Sequence, residues 1–409
     1  MTRAAFAALL LCSARAGAQT GSAGSSAPIP SASATTSPRR LVISVGGERL
    51  DFGTGITEAD AGGANPVRVQ SATALSSSVQ FSTVLREVWL LDIGTSFSSG
   101  SRSNAAVGTA AATTSDLNGL GDVRVRVSRR IERLGLRITA AANLPTGVTS
   151  LDAAQTATLS VIGAPALAMA PPSVGFGPGG TLGVVKSVAA ASRQWGVAMG
   201  ASVEWRGSYE PFAALAAGVP LASYDPGEVV RLSAGGTRLF GQSKGVVTAS
   251  LDLFGTDQVT AKGAGTPIGV KIGPTFAVDA QWLPATTRLS NAGVFAGVRV
   301  RSPLQRDGQT VEGSGNVLFE AGGRGAKALS STVDAVFEVT GRVHTAVQID
   351  NRLATAAGTS VAPALGLAFS GATWTVQPMV TVRLGTVDTG VQSGSFKTVG
   401  ARLVFDRRF

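Results

Sequence analysis

The chain of 409 residues holds one cysteine, one histidine and two tyrosines, and no apolar run approaches the roughly 20 residues that a membrane-spanning helix needs. The cysteine, Cys12, lies in the apolar stretch of residues 4–12 that follows Met1, Thr2 and Arg3, ahead of the small residues Ala16, Gly17 and Ala18. That order reads as a secretory signal peptide over residues 1–18. A lipoprotein reading of Cys12 would need a small residue before it, where Leu11 stands. Removal of the signal leaves no thiol, which excludes disulfide and cysteine chemistry from the mature chain. No histidine, cysteine and carboxylate group has metal-ligand spacing, so no metal and no cofactor is expected. The lone histidine, His344, shares an alternating face with Arg342 and Glu338 at the rim end of a strand candidate. We expect a solvated lumen or loop residue there, no catalytic residue, and no enzyme. Charged residues make up only 15% of the chain. The net charge of +10 comes from basic residues scattered singly at alternate positions, which argues against nucleic acid as a partner.

What is abundant is hydrophobic residues, 44% of the chain, together with 52 glycines. High hydrophobicity without a spanning helix points to strands. Residues 19–39, rich in Ser, Ala, Thr and Pro, are too poor in large apolar side chains to pack and read as a flexible periplasmic leader. Beyond them, alternation is regular. Val123, Val125 and Val127 oppose Asp122, Arg124, Arg126 and Ser128, and residues 195–206 set Trp195, Val197, Met199, Val203 and Trp205 against Gly196, Gly200, Ser202, Glu204 and Arg206. Residues 270–282 are expected to repeat the pattern as one strand. Trp195 and Trp205 are ten residues apart on the apolar side, about 25 Å along the membrane normal for a tilted strand, the height of an apolar band between aromatic girdles. Trp89, Trp282 and Trp374 complete the expected girdle.

Sixteen strand candidates start near Leu41, Val67, Leu85, Gly121, Arg133, Gly180, Gln194, Val229, Gly245, Val270, Asn291, Gly313, Ser331, Val361, Thr373 and Phe396. Short turns around Ser78, Ile131, Ser192, Gln242, Ala285, Lys327 and Gly371 alternate with long connections around Ala59, Ala110, Pro165, Leu215, Gly263, Arg306, Asn351 and Thr389. Short periplasmic turns, long external loops and an even strand number are the signature of an outer-membrane barrel. The expected fold is therefore all-β: a transmembrane, antiparallel, up-and-down β-barrel over residues 40–409. It has about 16 strands, or 14 if Gly46-Gly47 breaks the first candidate.

Two segments resemble known families. The last strand candidate alternates Val399, Ala401, Leu403 and Phe405 with polar residues and ends on Phe409. This resembles the C-terminal signal that barrel-assembly machinery reads, with Phe405 and Phe409 as its aromatic positions; Arg407 departs from the usual hydrophobic residue third from the end. Residues 118–147, NGLGDVRVRVSRRIERLGLRITAAANLPTG, resemble a hairpin of the phenol-degradation meta-pathway family of outer-membrane transporters, which is related to the long-chain fatty-acid transporters. The hairpin is also similar to the barrel halves of some OmpA-like proteins. The resemblance covers under a tenth of the chain. It implies a bacterial outer-membrane location and passive uptake of small solutes, hydrophobic or aromatic compounds among them.

The polar faces define the expected lumen lining: Arg68, Asp122, Arg124, Arg126, Arg137, Glu204, Arg231, Lys271, Asp279, Arg299, Arg301, Asp334, Glu338, Arg342, Arg383 and Arg402. Cations outnumber anions there, which gives either a wet passage with a mild anion preference or charges that pair across strands in a plugged, structural or adhesin-like barrel. Residues 150–179 are apolar for a loop, with Val161, Ile162, Leu167, Met169, Pro171 and Pro172. They fold inward as a constriction, form a greasy entry site, or extend the hairpin above the membrane. Pro274, Pro363 and Pro378 interrupt strand candidates. Pro363 and Pro378 are expected to face one another across a hairpin, opening a lateral exit in the wall. The expected partners are outer-membrane lipid, the assembly machinery and a small solute.

Overall fold

The computed structural model describes residues 39–409 except 59–66, 107–111, 166, 168, 170–174, 176, 190–193, 211, 215–221, 262–265, 287–288, 350–351 and 390–391. The signal and leader lie outside the described residues, apart from Arg39. The chain begins with β1 (Arg39–Glu58), β2 (Val67–Leu85), β3 (Trp89–Ala106), β4 (Ala112–Leu120), β5 (Val123–Ile131) and β6 (Leu136–Leu144). A short strand β7 (Leu151–Asp152) leads into helix α1 (Ala153–Ile162), then β8 (Gly179–Ala189) and β9 (Trp195–Arg206). Next come β10 (Phe212–Ala214), β11 (Ala222–Asp225), β12 (Val229–Phe240), β13 (Ser243–Phe254), β14 (Thr256–Ala261) and β15 (Ile268–Lys271). β16 (Thr275–Leu283), β17 (Ser290–Arg301), β18 (Gln305–Arg306), β19 (Gln309–Thr310), β20 (Asn316–Ala328) and β21 (Val333–His344) follow. The chain finishes with β22 (Val347–Ile349), β23 (Arg352–Thr355), β24 (Ala357–Ser370), β25 (Trp374–Asp388) and β26 (Ser393–Arg408).

Seventeen of these strands form one antiparallel sheet, and β1 pairs with β26 from Arg40↔Arg408 to Asp51↔Lys397, so the sheet closes on itself. β4 and β5 both pair with β3, one above the other, and so occupy one place in a 16-strand barrel wall. Closure leaves every strand of the 16-membered ring paired on both sides, the condition for strands to stand in hydrocarbon, while β4 pairs with β3 alone. No helix among the described residues is long and apolar enough to cross a membrane. The remaining short strands decorate the long connections: β11, β14, β15, β18 and β19 make a five-stranded rim sheet, β22 pairs with β23, and β7 with β10.

The outward positions are apolar and exposed, among them Val45, Leu75, Val79, Ile93, Leu182, Val247, Phe276, Val294, Phe337, Leu365, Val380 and Leu403. A barrel whose outer band is apolar and whose inner face carries the charges is an outer-membrane protein. All five tryptophans stand on this outer face. Trp89, Trp195, Trp282 and Trp374 lie beside short turns, and Trp205 lies at the opposite end of β9. At the short-turn end Arg129 stacks over Trp89 at 5.2 Å, Phe240 packs on Trp282 at 5.2 Å, and Arg407 covers Phe409 at 4.8 Å, an amphipathic belt suited to a membrane interface.

Several expectations are corrected. Ser78 is no turn: β2 runs through it, paired to Ser44 on one side and Ser96 on the other, so its ladder is satisfied. The turn falls at Arg86 and Glu87, both at positive φ. Gly46 and Gly47 do not break β1, because each is paired on both sides. The irregularity comes between Asp51 and Ile56, where Gly53 and Gly55 take φ of 63° and 81°. The single strand expected over residues 270–282 is split: β15 joins the rim sheet, and the wall resumes at Thr275 after Pro274. Pro363 and Pro378 are not opposite one another. The β24–β25 ladder skips the positions around Pro363 and, separately, those around Pro378, since each lacks the N–H that a rung requires.

Candidate functional site

The loop after β6 turns into the barrel. Its helix starts with a capping box in which Gln155 N donates to Asp152 Oδ1 at 2.7 Å and Asp152 N donates to Gln155 Oε1 at 3.0 Å. The helix is buried on several sides: Thr158, Leu159, Val161 and Ile162 are all nearly inaccessible. Leu159 joins Leu117 of β4 and Leu151, with Val148 beside them. Val161, Ile162, Leu167 and Met169 pack on the inner face of the wall against Leu50, Phe52, Val69, Ala72, Ala74, Val387 and Phe396. The segment thus lies along the inside of β4, β3, β2, β1, β26 and β25. Of the three outcomes left open for this loop, the inward constriction is the one that forms.

Polar groups hold it. Arg102 Nη1 donates to Ala157 O at 3.0 Å, Thr158 Oγ1 and Ser115 Oγ share a hydrogen bond of 2.7 Å, and Arg383 Nη1 donates to Leu167 O at 3.2 Å. Gly100 leaves the room that Ile162 Cδ1 fills; any side chain at that position would collide with it. No sequence pattern marks Arg102, Gly100, Ser115 or Thr158 for this role. Only the Asp152…Gln155 spacing of a capping box gave a legible signal. Pro171 and Pro172 lie outside the described residues.

The inner face of the wall carries Arg124, Arg126, Arg137, Glu204, Arg231, Asp279, Arg299, Arg301, Asp334, Glu338, Arg342, Arg383 and Arg402, as strand alternation from their outward neighbours requires. Many pair. Arg126 binds Asp92 at 2.9 Å, Arg231 grips Asp252 through Nε at 2.6 Å and Nη2 at 2.7 Å, Arg40 grips Asp406, Arg342 binds Glu320, and Arg383 lies 3.5 Å from Glu48. Arg402 Nη2 meets Met379 Sδ at 3.2 Å.

Three expected lining residues stand elsewhere. Arg68 is exposed on the face opposite Val69, whose side chain joins the inner cluster; the register shift between Val69 and Ser71 reverses the parity that the sequence pattern implies. Lys271 belongs to β15 in the rim sheet, beyond the wall. Asp122 sits at the break between β4 and β5, where Oδ1 accepts from Gly147 N at 2.9 Å. His344 is buried rather than solvated: Nε2 is 3.0 Å from Asn316 Nδ2 and Nδ1 is 3.3 Å from Ala356 O. Among the described residues no group of three metal-ligating side chains assembles.

The rim sheet has its own anchor. Tyr224 Oη donates to Asp257 Oδ2 at 2.6 Å and Gly227 N donates to Asp257 Oδ1 at 2.8 Å. Burial raises the Asp257 carboxyl above its ordinary range, opposed by these two hydrogen bonds and by nearby Arg206. Burial and the Asp257 charge likewise raise the Tyr224 hydroxyl.

No protein-family model matches the chain, and no curated protein does. Solved structures similar to it include a bacterial polysaccharide outer membrane secretin, at 10% identity and a TM-score of 0.45, covering 91% of this chain and 99% of that one. The Pseudomonas putida toluene transporter TodX is similar at 9% identity and a TM-score of 0.40, over 91% of each chain. The COG4313 outer membrane channel from Pseudomonas putida F1 is similar at 10% identity and a TM-score of 0.37, over 92% of this chain and 97% of that one.

Proposed function

We propose that the barrel is a passive outer-membrane channel for small solutes, anions foremost, narrowed on one side by the segment of α1. The observation that carries this reading is the inner face itself. On the β5–β6 side its arginines stay solvated, with Arg124 exposed and the Arg126 side chain 46% exposed, and Arg124 and Arg137 pair with no carboxylate among the described residues, although Arg383 on β25 is only 12% exposed. A dry plug would leave such ions desolvated at a cost of several kcal/mol each. Hydrophobic or aromatic uptake, which the hairpin resemblance implies, has less support from the lumen, because the apolar side chains at its mouth are consumed by packing on α1.

Conductance of the refolded chain in a planar lipid bilayer, with reversal potential under a salt gradient, is the test. Stepwise openings that favour anions are expected; insertion without steps would make the barrel a plugged structural or adhesin-like one. The reading includes no enzymatic role, so His344→Ala is expected to leave conductance intact. It also includes delivery by the barrel-assembly machinery through Phe405 and Phe409, with outer-membrane lipid around the outer face. Deleting Phe409 is expected to lower the amount of assembled barrel in cells, and an unchanged amount would count against the signal.

A further inference from the structure

The β5–β6 hairpin concentrates charge of one sign on the lumen. Arg124, Arg126 and Arg130 share the inner face of β5, and Arg137 stands on β6 directly across from Arg130. Like charges facing each other on paired strands destabilise the pair, and Arg130 and Arg137 are such a pair. The adjoining inner positions hold Gly94, Ser128, Thr139 and Ala141, none of them acidic. The carboxylates nearest the row are already engaged: Asp122 Oδ1 accepts from Gly147 N, and Asp92 is held by two partners. Its side chain is only 8% exposed and accepts from Arg126 at 2.9 Å and from Ser82 Oγ at 2.6 Å. Arg130 has a loose contact with Glu132 at 3.8 Å. Arg124 and Arg137 have no hydrogen bond or ion pair among the described residues, and Arg137 is half-buried.

Across the barrel the balance differs. β20 and β21 stand eight places around the 16-strand wall from β5 and β6, and their inner faces carry Glu320, Asp334 and Glu338 against Arg324 and Arg342. The lumen therefore has a basic wall opposite a slightly acidic one.

We propose that the inner face of the β5–β6 hairpin is a stepwise binding track for carboxylate-bearing solutes, with Arg124 and Arg137 as its open positions. This rests on the channel reading above. The guanidinium groups rise along the barrel axis from the Arg130–Arg137 row through Arg126 to Arg124, with about 7 Å between inner-face neighbours such as Arg124 and Arg126. Each is a planar fork matched to one carboxylate. A series of such forks holds an anion at each step weakly enough to release it to the next, as conduction requires. A bound carboxylate would also relieve the Arg130–Arg137 repulsion.

Bilayer recordings on the full chain with benzoate as the probe test this. Wild-type channels are expected to favour chloride over potassium, and benzoate is expected to reduce chloride current by competing for the track. R124Q/R137Q removes two charges near the path and is expected to lower the anion-to-cation permeability ratio roughly threefold or more and abolish the benzoate effect. R124K/R137K keeps the charge and loses the fork, so the ratio should hold while benzoate block weakens. R129Q on the same hairpin removes an outward-facing charge and should change neither. Heat-modifiable gel mobility reports whether each variant folds. Open channels in R124Q/R137Q with unchanged selectivity and block, or an equal shift in R129Q, would overturn the track while leaving the channel. Absence of openings in the wild type would overturn the channel itself, and the track with it.

Discussion

Gly100 and Ile162 show how one residue positions the constriction. Replacing Gly100 with Leu inserts a branched side chain where Ile162 Cδ1 already sits, and overpacking of this kind costs about 1–3 kcal/mol. The strand is fixed on both sides by β2 and β4, so the segment of α1 should be the part that moves. The expected outcome is a larger unit conductance with the barrel still folded, read in single-channel records against wild type. Asp257 gives a pH-dependent expectation at the same scale. Its folded-state carboxyl is raised mainly by burial, so the native rim sheet holds the proton more tightly than the unfolded chain does. The stabilisation from that proton is fully present below the unfolded carboxyl pKa and is lost as pH rises through the folded value. Amide protection in β11, β14 and β15, corrected for the intrinsic pH dependence of exchange, should therefore rise on acidification across that window, and Asp257→Asn should flatten the dependence. An unchanged pH profile in the variant would assign the effect to another group.

At the scale of elements, the helix start and the proline-interrupted seam make separate predictions. Asp152→Ala removes the cap and leaves the Gln155 N–H unsatisfied, at about 1 kcal/mol. Fraying of α1 should appear as noisier open-channel current and faster proteolysis near residue 155, without loss of the barrel. In the β24–β25 seam, Pro378→Val restores a donor where the ladder skips. A net gain of about 1 kcal/mol should raise the temperature at which the folded band is lost on gels. Because Pro363 and Pro378 are staggered, the weakness of this seam is spread over two places, and the facing pair on which the expected lateral exit rests does not form.

For the whole molecule, closure of β1 on β26 makes stability cooperative around the ring: Arg40 and Asp406 clamp one end of that seam, at 2.8 Å, and Phe409 N donates to Arg39 O at 3.0 Å. The expected channel follows from the same closure, since a ring of this many strands encloses a lumen wider than its own side chains fill. The inner charges are screened by salt, so anion preference should decline as the salt concentration of the bilayer measurement rises. A preference independent of salt would place selectivity in the geometry of the constriction instead of in the arginines.

Period-two alternation, the even count of strand candidates and the alternation of short turns with long connections determined the barrel from sequence alone. Each is a local consequence of one face meeting lipid and the other water. The same alternation put Arg124, Arg126, Arg137, Arg231 and Arg342 on the inner face, because side-chain direction in a strand is fixed by parity. It misplaced Arg68 where a register shift reverses parity, and Lys271 where a strand leaves the wall for the rim; neither event has a period to read. Only the tertiary structure decided that α1 turns inward, that Gly100 accommodates it, that His344 is buried and that Asp92 is spent on Arg126 while Arg124 and Arg137 stay open. These depend on which distant strands become neighbours when the ring closes, and a local pattern carries no information about partners hundreds of residues away.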